Sequence, residues 1–156
     1  MIEKLNTYIG SNRKNIEKKI EDWVRNQLLE DYSKYYDLNI INEVYNISVV
    51  DVKVSYDKHL LTYVDDEYIA TEMNFEVSYQ VNILTDDEDT MYKDDDTKEL
   101  KYFDTIEIPI KDERNIKADV IFYLKDDNKI DSFDIEEINK GKPLTIRNKK
   151  YKDDYQ

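Results

Sequence analysis

Two periods of apolar residues divide the chain. Up to about residue 40 they recur every three or four positions, and this stripe consists of Ile16, Ile20, Trp23, Val24 and Leu28. Such spacing is typical of one side of an α-helix, and the predicted helical region spans residues 1–38. Gly10 lies within this predicted helical region and is a weak helix former. We therefore expect either one helix or a short helical turn over residues 2–9 followed by a helix that Ser11 or Asn12 caps.

From about residue 45 to 138 the period becomes two. In the most regular stretch one face consists of alternate residues that are apolar after the first, namely Thr71, Met73, Phe75, Val77, Tyr79, Val81 and Ile83. The residues between them are polar. A strand with one apolar face and one polar, solvent-exposed face indicates antiparallel pairing. Further strands are predicted over residues 50–56, 60–64, 106–110, 118–124 and 130–135, with short polar turns between them.

Helical and strand segments are segregated along the chain, which predicts an α+β fold. We expect an N-terminal helix, or two helices, packed on a five- to six-stranded antiparallel meander. A length of 156 residues fits one domain with its own core. We assign that domain to residues 1–146, and we expect residues 147–156 to be a flexible tail because they lack periodicity.

Charge narrows the class of partner. The net charge is -13, and residues 86–99 alone carry eight carboxylates and two lysines. Such a segment repels nucleic acid and anionic membranes and attracts basic proteins. The predicted partner is therefore a basic protein surface, with no direct contact to nucleic acid or membrane. The absence of a secretory signal and of a membrane-spanning apolar run favours a cytoplasmic location.

The acids and tyrosines on either side of the long strand are the candidate site. If they share one face, they form a continuous negative field. The predicted partner-binding residues are Asp65, Asp66, Glu67, Glu72, Glu76, Asp86, Asp87, Asp89, Tyr92, Asp94, Asp95 and Asp96.

Few residues are of the types that bind phosphate or metal ions or take part in catalysis. The chain has two glycines, no cysteine and one histidine, His59, so it lacks the usual phosphate-binding loops and cysteine zinc sites. No glycine lies between Gly10 and Gly141, which excludes an EF-hand in the acidic segment. We predict no cofactor, no metal site and no catalytic residue. One alternative stays open, because Asp86 with Glu99-Leu100-Lys101, and more weakly Asp51-Val52-Lys53, match a loose magnesium-nuclease pattern.

Several segments carry a resemblance to a known family. They are the valine-rich residues 47–54, the alternating residues 73–83, the acidic insert, and the closing residues 105–110 and 118–124. Together, over about residues 46–134, they resemble the β-rich C-terminal domain that accompanies PIN-like nuclease domains in bacteria. The metal-binding nuclease half has no counterpart here, so the resemblance implies a regulatory accessory domain and no catalytic residue.

In size and acidity the chain also resembles bacterial immunity proteins and phage inhibitors of defence nucleases. We therefore predict a non-enzymatic, acidic protein-binding module, an inhibitor or immunity-type protein that binds a toxin, a nuclease or a nucleic-acid-binding protein. The alternatives are a regulatory domain of a nuclease or defence system and a divergent magnesium-dependent nuclease.

Overall fold

A single long helix forms the N-terminal part. The computed structural model describes residues 2–30 and 44–146, so the predicted helical residues 31–38 and the tail 147–156 lie outside the described residues. Helix α1 (Ile2–Leu28) buries one stripe of side chains, which are Leu5, Ile9, Ile16, Ile20, Val24 and Leu28. Within the described ranges, no helix is long and apolar enough to cross a membrane.

The helix passes through Gly10 without a break. Gly10 lies on the exposed side, and a Cβ added there would meet no heavy atom within 4 Å. Burial of the stripe on both sides of Gly10 outweighs the cost of about 1 kcal/mol that a glycine carries in a helix. Of the two expectations, one helix is confirmed over Ile2–Leu28, and a break with an N-cap at Ser11 or Asn12 is wrong.

The strands of residues 44–146 form two antiparallel sheets. The main sheet has four strands in the order β1-β2-β5-β6, and the small sheet pairs β3 with β4. Their bounds are β1 Val44–Val64, β2 Tyr68–Asp86, β3 Met91–Lys93, β4 Leu100–Tyr102, β5 Thr105–Leu124 and β6 Ile130–Ile138. The α+β class and the antiparallel pairing are confirmed, whereas a single sheet of five or six strands is wrong.

The sheet has fewer strands than predicted because two of its strands are very long. Residues 106–110 and 118–124, predicted as separate strands, belong to the 20-residue β5, and residues 60–64 are the end of the 21-residue β1. In β5 the inward positions between the two apolar stretches hold Asp112 and Arg114. Arg114 Nε lies 2.9 Å from Asp112 Oδ2, which also accepts a 3.1 Å hydrogen bond from the Tyr79 hydroxyl. Because these two polar residues interrupt the inward apolar positions, the sequence pattern predicts two strands where the structure has one.

Helix α1 packs on one face of the main sheet. The alternate residues of β2 from Ile69 to Thr85 are buried there, which confirms the predicted alternation. Tyr8 meets the buried Phe122 edge to face, with 5.8 Å between ring centroids. The opposite face, called the outer face below, carries the polar residues of the three longest strands.

Candidate functional site

The acidic segment is a hairpin at one end of the main sheet. Pairing of β2 with β5 ends at Asp86 and Thr105, and residues 87–104 between them, called the acidic hairpin below, contain the small sheet. Thr90 anchors its base, since its hydroxyl accepts from the backbone N–H of Asp104 at 3.2 Å and its carbonyl accepts from that of Phe103 at 3.2 Å. The hairpin therefore leaves the sheet from a hydrogen-bonded base.

Asp94 shapes the tip of the hairpin. Its Oδ1 accepts from the backbone N–H groups of Asp96 and Thr97 at 2.9 and 3.1 Å, and its Oδ2 lies 3.0 Å from Lys101 Nζ. Lys101, followed by these amides, lowers the pKa of Asp94. Asp87 holds the start of the hairpin in the same way, by accepting from the Asp89 N–H at 3.1 Å. Asp87 and Asp94 thus stabilise turns, whereas Asp95 and Asp96 lie exposed.

Apolar side chains stand among these acids. Phe103 is 79% exposed and stacks on Tyr92 with 4.2 Å between ring centroids. Met91 and Leu100 are 51% and 61% exposed, and the strand register places them on the other side of the ribbon from Tyr92. Apart from Tyr92, these residues were not predicted from the sequence. The available signal was the presence of Met91, Leu100 and Phe103 in a stretch that is otherwise charged.

The structure brings part of the predicted site together here. The predicted residues at this end of the sheet are Asp86, Asp87, Asp89, Tyr92, Asp94, Asp95 and Asp96. Asp86 ends β2 and accepts a 2.8 Å hydrogen bond from the Tyr45 hydroxyl.

The other predicted acids lie elsewhere. Asp65, Asp66 and Glu67 form the turn between β1 and β2, at the opposite end of β2. A 19-residue strand separates them from the hairpin, which at about 3.3 Å per residue is about 60 Å along the strand. Asp65 Oδ1 accepts from the backbone N–H groups of Tyr68 and Glu67, and these two bonds lower the pKa of Asp65.

Glu72 and Glu76 lie on the outer face between the two ends. Glu72 Oε1 is 3.5 Å from Lys117 Nζ. Between Glu76 and Asp86 the outer face carries Lys53 and Lys111, which flank the Ser78 and Gln80 positions of β2. The negative field is therefore not continuous. It divides into one acidic group at each end, with a mixed-charge middle.

The residues of the nuclease pattern do not form a joint site in the described chain. Lys101 pairs with Asp94 rather than with Glu99 or Asp86. Within residues 2–30 and 44–146, no group of three His, Cys, Asp or Glu side chains is placed to hold a metal ion. His59 Nδ1 lies 2.6 Å from the Tyr56 hydroxyl, and burial lowers the pKa of His59.

Comparisons of the chain with protein-family models, with curated proteins and with solved structures return no match.

Proposed function

We propose that this protein is a non-enzymatic, acidic binding module of the inhibitor or immunity type, which uses the acidic hairpin to bind a basic surface of another protein. The observation that carries the proposal is the exposed Phe103, stacked on Tyr92 within a segment of eight carboxylates and three lysines. Aromatic anchors surrounded by polar rims dominate the binding energy of many protein interfaces.

The acids and the apolar residues have separate tasks in this proposal. Exposed carboxylates such as Asp95, Asp96 and Glu99 attract a cationic surface over a distance and raise the association rate. Phe103, on the side of the ribbon that carries Tyr92, loses water on contact and slows dissociation. Proteins that bind nucleic acid present suitable basic surfaces, because they neutralise phosphates with Lys and Arg.

The anchored base of the hairpin favours such a role. Asp104 and Phe103 both donate backbone hydrogen bonds to Thr90, and Asp94 fixes the tip through two further amides. A loop that is already ordered loses less conformational entropy when it binds. The same bonds identify which acids a test should leave in place, since reversing Asp94 would open the turn as well as change the charge.

The test is a charge reversal at exposed acids of the hairpin. A basic protein is first isolated from an extract of the native host on the immobilised wild-type chain and then purified. Its affinity is measured for the variant Asp95→Lys/Asp96→Lys/Glu99→Lys and for Phe103→Ala. We expect each to weaken binding about tenfold or more, since interface anchors are worth about 2 kcal/mol or more. The charge variant should also lose most of the salt dependence of the association rate.

The matched control changes the same charge elsewhere. Asp51, Glu76 and Glu113 are exposed on the outer face in the middle of the sheet, and their joint replacement by Lys alters the net charge equally. This control should bind within about threefold of wild type at physiological salt, since screening weakens distant charges. If the control loses as much affinity as the hairpin variant, or if Phe103→Ala binds like wild type, the hairpin is not the binding site.

A further inference from the structure

The far end of the main sheet is apolar on both faces. Three stretches there break the alternation of apolar and polar residues, namely residues 60–64, 68–70 and 120–124. Runs of this kind are typical of strands that are covered on both sides. Among residues 2–30 and 44–146, helix α1 packs on one face of this sheet, and the second apolar face at this end is left exposed.

The outer-face residues at this end form one cluster across three strands. Tyr63 pairs with Ala70, which pairs with Ile121, while Tyr68 pairs with Tyr123 and Leu60 pairs with Glu72. The cluster, called the tyrosine patch below, consists of Leu60, Tyr63, Tyr68, Ala70, Ile121 and Tyr123. Leu60, Tyr63 and Tyr123 are 64%, 50% and 37% exposed, and the rings of Tyr63 and Tyr68 lie 5.3 Å apart.

Carboxylates surround the tyrosine patch. The Tyr63 hydroxyl donates to Asp65 Oδ2 at 3.2 Å, and the Asp65 charge is the main cause that raises the pKa of Tyr63. Desolvation and then the neighbouring Asp134 raise the pKa of Tyr123. Glu72, which pairs with Lys117, lies beside Leu60, and Asp119 lies beside Glu72 on β5. An apolar and aromatic centre with an acidic rim complements a surface that carries Lys or Arg next to aliphatic side chains.

We propose that the tyrosine patch is a second docking surface, which binds a protein segment with alternating basic and aliphatic side chains. Guanidinium or ammonium groups contact the tyrosine faces and the rim carboxylates, while aliphatic side chains cover Leu60 and Ile121. A second copy of this chain fits less well, because it would bring two acidic rims together. The patch lies at the opposite end of β2 from the acidic hairpin, so this binding does not depend on the function proposed for the hairpin.

The test titrates the full ¹⁵N-labelled protein with a short synthetic peptide of alternating Leu and Arg at physiological salt. We expect amide shift changes concentrated in residues 60–70 and 119–134. Tyr63→Ala/Tyr123→Ala should weaken the peptide affinity about tenfold or more. The affinity is taken from the shifts of residues 60–70 and 119–134 alone, so that binding of the same peptide to the acidic hairpin is not counted. The matched control Tyr92→Ala/Phe103→Ala removes two aromatic rings from the hairpin and should leave this local affinity unchanged.

Two further peptides and a sedimentation measurement test which kind of partner the tyrosine patch binds. Peptides of alternating Leu and Glu, and of Ser and Arg, should both bind at least about tenfold more weakly, since each lacks one half of the complementary chemistry. Should the double tyrosine variant fail to fold, Leu60→Ser supplies an independent loss of affinity at a residue that is 64% exposed. The proposal is overturned if shifts appear only in the hairpin, if the Ser-Arg peptide binds as tightly, or if sedimentation shows a wild-type dimer that Tyr63→Ala abolishes.

Discussion

At the scale of residues, the carboxylates of this chain have different tasks. Asp65, Asp87 and Asp94 each hold a turn, because the side-chain carboxylate accepts hydrogen bonds from backbone N–H groups two or three residues further on. The sequence indicates this use of Asp, because it contains two glycines. It does not show which acids are used, since that depends on where each strand ends. Exposed acids of the hairpin such as Asp95, Asp96 and Glu99 are the ones whose charge the proposed test reverses.

His59 gives a residue-scale prediction about pH. Burial lowers its pKa, and Nδ1 accepts the Tyr56 hydroxyl only while that nitrogen is unprotonated. Because the unfolded value is the higher one, near 6.5, the folded state binds fewer protons and loses stability as the pH falls below that value. In His59→Gln, the free energy of unfolding should change less than in wild type between pH of about 7 and about 5.5.

Urea unfolding at each pH measures this difference. Wild type and His59→Gln share every carboxylate, so the titration of Asp and Glu is common to both. Parallel pH profiles for the two proteins would show that His59 does not contribute.

At the scale of elements, the sequence predicts which segments are helical and extended but not how far each strand continues. The apolar period locates α1 and β2 because these elements bury one regular face. It fails at Asp112 and Arg114, whose inward side chains are paired with each other. It also fails along β1, where register shifts at positions such as Val49/Asp51 leave Val50 50% exposed. Contacts between distant parts of the chain contribute to both cases, namely the bond of the Tyr79 hydroxyl to Asp112 and the register of β1 against β2.

Helix α1 also covers part of an open sheet edge. β1 is an edge strand, and at its register shift after Tyr56 the Glu17 Oε2 accepts the Tyr56 backbone N–H at 2.7 Å. Arg13 pairs with Glu17 at 3.2 Å and donates to Ser55 Oγ at 3.2 Å. Exposed edges invite pairing with other chains, so these contacts both stabilise the fold and limit self-association.

Glu17→Ala should therefore lower the free energy of unfolding by about 1–3 kcal/mol, because it leaves the Tyr56 N–H and Arg13 without this acceptor. Asp22→Ala is the matched control, as Asp22 is 57% exposed and pairs with Lys18 on the helix surface. We expect it to cost less than about 1 kcal/mol. Chemical unfolding of both variants measures the difference, and equal losses would mean that the contact to β1 contributes nothing.

At the scale of the whole molecule, the length of the sheet separates two surfaces. The sequence identifies the acids of both, since charge is visible in composition alone. It does not show that residues 65–67 and residues 87–104 lie at opposite ends, because that follows from a β2 strand of 19 residues. Nor does it single out Phe103, whose 79% exposure depends on the hairpin leaving the sheet. The acids that were predicted to form one negative field therefore belong to two surfaces at opposite ends of β2.

Hydrogen–deuterium exchange tests the central claim most directly. It is measured on the protein alone and with the basic partner that is isolated from the native host and purified. Backbone amides that become buried in an interface exchange more slowly. The proposed function predicts slower exchange in residues 87–104, and this protection should be lost in Phe103→Ala at the same partner concentration. Unchanged exchange across residues 87–104 in a saturated complex would contradict it.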